Sequence, residues 1–418
     1  MKDDRLFLNA DEVADMLGIS KATLYSYVSR GLIRSEETEG KTRVRRYHAE
    51  DAHALREKKK RRSNPLQATE AALHFGDPVL TSAITLIHDG RLTYRGHSAI
   101  ELALSHTFEE VAMLIWCNEF EQSTLFCKQS TRHNSTVVEE LLHHQPFNRI
   151  DHELSSYELF QVVLPIVAAQ DLAAYDLTTN GVIRTGVEIL RCMTTLITGE
   201  SSTAPIADQL REAWLVEHAN RSDAIQAALN AALILCADHE LNVSSFTARC
   251  VASAASTPYA AVIACLAALQ GAKHGGSSQQ VERLFLEAKG GVRRAIGNRL
   301  KRGEIIPGFG HPLYSSGDPR AICLIEIASR FAEQSEAYQT GESLIKQVGE
   351  TLNLEPNLDF GLVLLMQTLQ CPPGAALLLF ALGRTAGWIG HIIEQYEADR
   401  MIRPRARYVG EMPIVSEE

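Results

Sequence analysis

Three histidines stand in polar or glycine-rich joints of this chain: Asp238-His239-Glu240, Lys273-His274-Gly275-Gly276 and Gly308-Phe309-Gly310-His311-Pro312. One histidine at a helix end is most often structural or solvent-facing. Three of them, two beside glycines that leave backbone N–H groups open, shift that balance towards a functional role. The usual grips for cofactors are missing: there is no G-x-G-x-x-G, no G-x-x-x-x-G-K-[ST] and no G-x-S-x-G. His239-Glu240 opens like the zinc motif of a metalloprotease, but Val243 stands where the second histidine belongs, so no metal is expected there.

The elements that position these joints read as helices. From residue 66 onward, Glu101–Glu119, Gly181–Leu196, Asp223–Leu241, Phe246–Leu269, Gln279–Leu286 and Ile322–Glu333 repeat apolar residues at three- and four-residue spacing. His88–Gly96 (HDGRLTYRG) is the local exception, a short hairpin candidate, and the body is expected to be all-α. Two apolar stretches imitate membrane spans, but Val251–Ala272 contains Pro258, and Phe360–Ile392 contains Pro372, Pro373 and Arg384. A charge at bilayer depth costs about 2.5–3.5 kcal/mol on lenient scales, so both read as buried helices with no membrane role.

The 418 residues are too many for one small module. Residues 1–62 hold 15 Lys+Arg against 11 Asp+Glu, a net +4, and the remainder holds 26 against 40, a net −14. A basic head on an acidic body suggests two functions, with a seam at Lys58-Lys59-Lys60-Arg61-Arg62 and the helix-breaking Pro65. The expected domains are therefore 1–62 and 63–418. Eight scattered cysteines without a C-x-x-C pair, and a start lacking an apolar core, indicate reduced thiols in a cytoplasmic protein.

Within the head, Asn9 is placed to cap a helix with Glu12 as its capping-box partner, followed by Val13, Ala14 and Leu17 on one face. Gly18 supplies a left-handed turn, and Ser20 caps a second helix, Lys21–Arg30, with Leu24, Tyr25 and Val28 assigned inward. Glu36–Arg46 is a polar hairpin candidate around Gly40. Leu6–Leu55 resembles the MerR-like winged helix-turn-helix family, down to Gly31-Leu32-Ile33 and to Arg46, Tyr47 and Asp51. That resemblance implies DNA in the major groove, with Lys21, Thr23, Tyr25 and Ser26 as base-contact candidates and Arg43 and Arg45 on the wing. A head that serves assembly or binds protein is the alternative.

In the body, AKHGGSSQQV (272–281), IPGFGHPLYSSGDPRA (306–321), NLDFGLVLL (357–365) and ALGRTAGWIGHIIEQ (381–395) follow in the order of the citrate synthase family, which the body resembles over about residues 66–410. DHELNVSSFTAR (238–249), RLTYRGHSAIELA (91–103), TFEEVAMLIW (107–116) and RPRARYVG (403–410) extend it. The resemblance implies an all-α body of large and small helical subdomains that condenses acetyl-CoA with oxaloacetate. No cofactor or metal takes part, and acetyl-CoA is a co-substrate. It also implies Asp359 as the base that takes the acetyl methyl proton, His274 as donor to the thioester oxygen and His311 as the group polarising the ketone. Arg320, Arg384 and Arg403 match carboxylate-binding arginines, His239 matches a further oxaloacetate ligand, and Arg403 would serve the neighbouring subunit of a homodimer. Arg384, in an apolar helix, is the hardest to explain as a structural ion pair.

Three departures from the family pattern bear on CoA and on the acceptor. Pro312-Leu313 replaces the common Arg-Val, Ser315-Ser316 lacks a basic residue, and Phe360-Gly361-Leu362 replaces aromatic-Ser-Gly. Lys273, Lys301 and Arg302 are candidate replacements for the phosphate contacts, against the favoured reading of each as solvated surface. The same catalytic set serves 2-methylcitrate synthases, which use propionyl-CoA. A body that senses oxaloacetate, citrate or acyl-CoA for a regulator is the other reading, and Asp359 argues against it, since a sensor needs only the arginines.

Overall fold

Residues 7–30, 32–37, 45–49, 51–52, 55, 80–127, 134–143, 155–215, 222–314 and 316–411 are described by the computed structural model. The chain divides into two units, 1–81 and 82–418.

In the first unit, β1 (Phe7–Leu8) leads into α1 (Ala10–Leu17), α2 (Lys21–Ser29), β2 (Ser35–Glu37) and β3 (Arg45–His48). The expected capping box is present: Asn9 Oδ1 accepts from the N–H groups of Asp11 and Glu12, and Glu12 Oε2 accepts from Asn9 N–H at 2.7 Å. Gly18 is left-handed with φ 57°, and Ser20 Oγ accepts from Thr23 N–H at 3.2 Å. β3 pairs antiparallel with both β1 and β2; β2 and β3 are the two arms of the expected hairpin, whose tip around Gly40 and Arg43 lies outside the described residues. Leu8, Val13, Leu17, Leu24, Ile33 and Tyr47 form the core. Tyr25 does not join them; it is 52% exposed, and Tyr27 packs on the core in its place. At 100° per residue, positions 24, 27 and 28 share the face of α2 that meets α1, and position 25 turns away.

The second unit opens with a meander of β4 (Thr85–His88), β5 (Arg91–Tyr94) and β6 (His97–Ser98), confirming the hairpin expected at His88–Gly96. Both two-residue turns, Asp89-Gly90 and Arg95-Gly96, have positive φ, the backbone that matches the twist of the flanking strands. Helices follow: α3 (Ala99–Ser105), α4 (Phe108–Cys117), α5 (Thr124–Cys127), α6 (Asn134–His143), α7 (Ser156–Gln170), α8 (Thr179–Thr198), α9 (Ile206–Trp214) and α10 (Ser222–Cys236). They continue with α11 (Val243–Ala252), α12 (Pro258–Leu269), α13 (Gly276–Ala288), α14 (Val292–Lys301), α15 (Pro319–Ser329), α16 (Glu336–Leu352), α17 (Leu358–Thr368) and α18 (Ala375–Ala398).

Several expected helices end sooner than their periodicity suggests, each for a local reason. Glu101–Glu119 is two helices, because Thr107 and Glu110 build a capping box that restarts the chain at α4. Phe246–Leu269 is also two, with Thr257 as N-cap and Pro258 in the first turn of α12. Asp223–Leu241 stops at Cys236, which frees Asp238 and His239 for other work.

The core forms around α18. By length and composition this helix is able to cross a membrane, but 94% of its apolar stretch is buried inside the fold. Its glycines let neighbours approach: a Cβ at Gly383 would lie 2.5 Å from the Leu233 carbonyl, and one at Gly387 would collide with Ala237 and Asp238. The end of α10 therefore lies directly on α18. Trp116 of α4 donates from Nε1 to the Ala386 carbonyl at 2.7 Å, locking a third helix to the same surface.

Candidate active site

The turn after α10 carries His239, and a buried carboxylate holds that turn. Asp238 is fully buried; its Oδ2 accepts from Thr85 Oγ1 at 2.5 Å, and its Oδ1 lies 3.2 Å from His391 Nε2 of α18. Its carbonyl accepts from the Tyr94 hydroxyl at 3.1 Å. Anchored on both sides, His239 places its ring 5.2 Å from the ring of His311, edge to face. Burial first, then the positive charges of Arg320 and Arg384, keep His239 well below the ordinary imidazole range, hence neutral.

His311 comes from the 306–312 segment, where Gly308 and Gly310 have φ of 84° and 79°. This segment is tied to the strand-like stretch ahead of α17. Gly310 N–H donates to the Glu355 carbonyl at 2.7 Å, Asn357 N–H donates to Gly308 at 2.9 Å, and Asn357 Nδ2 donates to Gly310 at 3.1 Å. The same Asn357 caps α17, accepting from Asp359 and Phe360 N–H, so one residue connects the loop of His311 to the helix of Asp359. Leu313 N–H donates to His311 Nδ1 at 3.1 Å, which leaves the ring hydrogen on Nε2. Burial and Arg320 lower His311 to about 4, so Nε2–H donates from a neutral ring.

Asp359 sits in the first turn of α17 and accepts from Ser278 Oγ of α13 at 2.6 Å. Burial raises its carboxyl above the usual range, against the downward pull of the Ser278 and Ser277 hydroxyls. That makes it a stronger base than a surface aspartate. His274 lies just ahead of α13, whose N-cap is Gly275. Its Nε2 is 2.8 Å from Ser244 Oγ, which also accepts from Trp388 Nε1 at 3.1 Å. Burial and the charge of Arg384 lower His274 to about 4, leaving an uncharged donor at a helix N-terminus.

The two buried arginines differ. Arg320, 3% exposed, grips Asp318 through Nε at 2.9 Å and Nη2 at 2.7 Å, and the same carboxylate also accepts from Leu358 N–H. Arg384 is 2% exposed, donates from Nε to the Cys236 carbonyl at 2.7 Å and lies 4.7 Å over the Phe380 ring. No carboxylate among the described residues pairs with it. Asp238 supports this charge from a distance without pairing with it, and a ligand carboxylate is the natural direct partner for a buried guanidinium.

The structure thus gathers His239, His311, Arg320 and Arg384, with Asp359 and His274 joined to them through α17, α13 and α18. Arg320 acts electrostatically on Asp359 as well as on the first two histidines, and Arg384 acts on His239 and His274. Arg403 stands apart, exposed on the segment that follows α18. Of the substitute phosphate contacts, Arg302 is engaged with Glu304, while Lys273 and Lys301 are exposed. Pro312 and Leu313 are exposed, and Ser315 lies outside the described residues.

A family model described as citrate synthase, C-terminal domain, matches residues 75–405. The chain belongs to the citrate synthase family. A helix-turn-helix domain model matches residues 7–59. Citrate synthase 2 of Bacillus subtilis (strain 168) is 31% identical over 350 residues, which are 79% of this chain and 93% of that protein. 2-Methylcitrate synthase 1 of Corynebacterium glutamicum is 28% identical over 365 residues, 76% of this chain and 89% of that one. Among solved structures, citrate synthase from Thermoplasma acidophilum in a ternary complex with carboxymethyl coenzyme A and oxaloacetate superposes with a TM-score of 0.65. It is 25% identical and covers 82% of this chain and 96% of its own.

Sequence reasoning missed the residues that hold the site residues in place. Asp318 was signalled by Asp-Pro at a helix start, and Ser278 by its position four residues after His274. Asp238 and His391 had no signal of their own, since 153 residues separate them. In this citrate synthase family member's head, Lys21 is bonded to Asp11 at 2.6 Å, Thr23 Oγ1 lies 2.9 Å from Ser20 Oγ, Tyr25 and Ser26 are exposed, and Arg45 is exposed on β3.

Proposed function

We propose that the body condenses acetyl-CoA with oxaloacetate and water to give citrate and CoA. The observation that carries this reading is Arg384, a buried guanidinium with no carboxylate partner among the described residues, beside two histidines held neutral. Oxaloacetate brings two carboxylates; Arg384 and Arg320 take them, His239 adds a further contact, and Arg403 completes the cage from the neighbouring subunit of a homodimer. Asp359 removes a methyl proton from the acetyl group while His274 donates to the thioester oxygen, so the enolate forms without full charge. Its carbon attacks the oxaloacetate ketone as His311 Nε2–H donates to the ketone oxygen. Water then cleaves the citryl thioester and releases CoA as a free thiol. No metal or prosthetic group enters this scheme.

Free thiol appearing from acetyl-CoA plus oxaloacetate is the direct test; protein that binds oxaloacetate but releases none is a sensor. Propionyl-CoA belongs in a parallel assay, because a 2-methylcitrate synthase is among the similar proteins. Residues 1–62 form a DNA-binding head in this reading, supported by the exposed outer face of α2. Salt-sensitive retention of a duplex from the upstream region of its own gene, lost when 1–62 are deleted, tests it. Salt-independent or absent retention assigns the head to assembly. Seven described cysteines are free thiols, in keeping with a cytoplasmic setting.

A further inference from the structure

The tyrosine three residues beyond His311 has no part in the scheme above, yet it touches most of the oxaloacetate end. Tyr314 is only 4% exposed, and its hydroxyl lies 2.9 Å from His239 Nε2. Its ring is 4.8 Å from the His311 ring at 40°, and the Arg320 guanidinium carbon lies 5.7 Å from its centroid. Three groups expected to hold one small dianion therefore share a single neighbour. His239 and His311 arrive on different segments, and Tyr314 touches both, hydrogen-bonded to the first through its hydroxyl and packed on the second through its ring, so it fixes how one imidazole faces the other. Removing the hydroxyl leaves His239 Nε2 without its partner, and removing the ring also takes away the surface on which His311 rests.

The geometry points to Tyr314 as a positioning residue for oxaloacetate: its hydroxyl orients His239, and its ring seats His311 beside Arg320. The inference rests on the condensation reading for the identity of the ligand. Two variants of the full-length protein separate the two contributions. Tyr314→Phe keeps the ring and lacks the hydroxyl, while Tyr314→Leu lacks both. Calorimetric titration with oxaloacetate alone, followed by steady-state thiol release, reads them.

For Tyr314→Phe, the expected result is an oxaloacetate dissociation constant and KM raised about fivefold, the worth of one hydrogen bond. The acetyl-CoA KM stays within about twofold, and the thermal midpoint falls by no more than a few degrees, the cost of one buried ring nitrogen left unpaired. Tyr314→Leu is expected to lose, in addition, about tenfold or more in kcat. A merely structural tyrosine would shift both substrates together with the midpoint, and that outcome overturns the inference, as does unchanged oxaloacetate affinity in Tyr314→Phe. Wild-type protein that binds no oxaloacetate at all instead overturns the condensation reading. Binding without turnover leaves the calorimetric comparison to decide the role of Tyr314.

Discussion

Replacing Arg384 by methionine separates a ligand-binding arginine from a structural one, because the two roles predict opposite effects on stability. An ionised group in the interior without a partner costs several kcal/mol, and Arg384 is 2% exposed with no paired carboxylate among the described residues. Methionine removes that cost. Against it stand the lost electrostatic support between Arg384 and Asp238, the Cys236 carbonyl left without its donor, about 1–3 kcal/mol, and the lost contact with Phe380, about 0.5–2 kcal/mol. The ligand-free unfolding midpoint should therefore stay level or rise. Oxaloacetate should suffer: truncating one partner of a buried charge pair costs about 2–5 kcal/mol, which is roughly 30- to 5,000-fold in KM. Thiol release at saturating acetyl-CoA, with oxaloacetate titrated, measures the second effect, and scanning calorimetry with and without oxaloacetate measures the first. An unchanged KM together with a midpoint several degrees lower would refute the reasoning, since it would make Arg384 a core residue whose charge is already satisfied.

Asp359→Asn should lower kcat by about 10²–10⁴-fold while calorimetric oxaloacetate binding persists; full activity would remove Asp359 as the base. The histidines make acid destabilising. His274 and His311 are lowered to about 4 and His239 lies well below the ordinary imidazole range, so between pH 6.5 and 4 the unfolded chain binds protons that the folded one refuses, and stability falls as pH falls. Above pH 6.5 these rings contribute no slope, and a midpoint flat from pH 7 to pH 4.5 would contradict their neutral burial. Gly387→Ala should cost about 1–3 kcal/mol of stability by overpacking, because its Cβ meets Ala237 and Asp238; it should also weaken oxaloacetate binding by moving the turn of His239. Unchanged melting and affinity would show that α10 and α18 are not in the contact described.

Much of the chemistry was legible along the chain because it sits in short, self-punctuated segments. His274 before a glycine pair, His311 after Gly308 and Gly310, and Asp359 just behind a capping Asn357 all occupy joints whose backbone is set locally. The capping box at Asn9 and Glu12 and the Asp89-Gly90 turn were readable for the same reason. Helix limits were less so, since apolar periodicity runs straight across the breaks at Thr107 and Pro258 that caps impose.

Local sequence determined which residue types stand at the joints, where most caps fall and that an arginine lies within an apolar helix. Only the tertiary structure decided their partners: Asp318 for Arg320, a lone carbonyl and an aromatic face for Arg384, Ser278 for Asp359, and Tyr314 for His239. Hydrogen bonds and buried charges are settled by distance in space, and pairs such as Asp238 and His391, 153 residues apart, meet only because glycines on α18 let α10 lie against it.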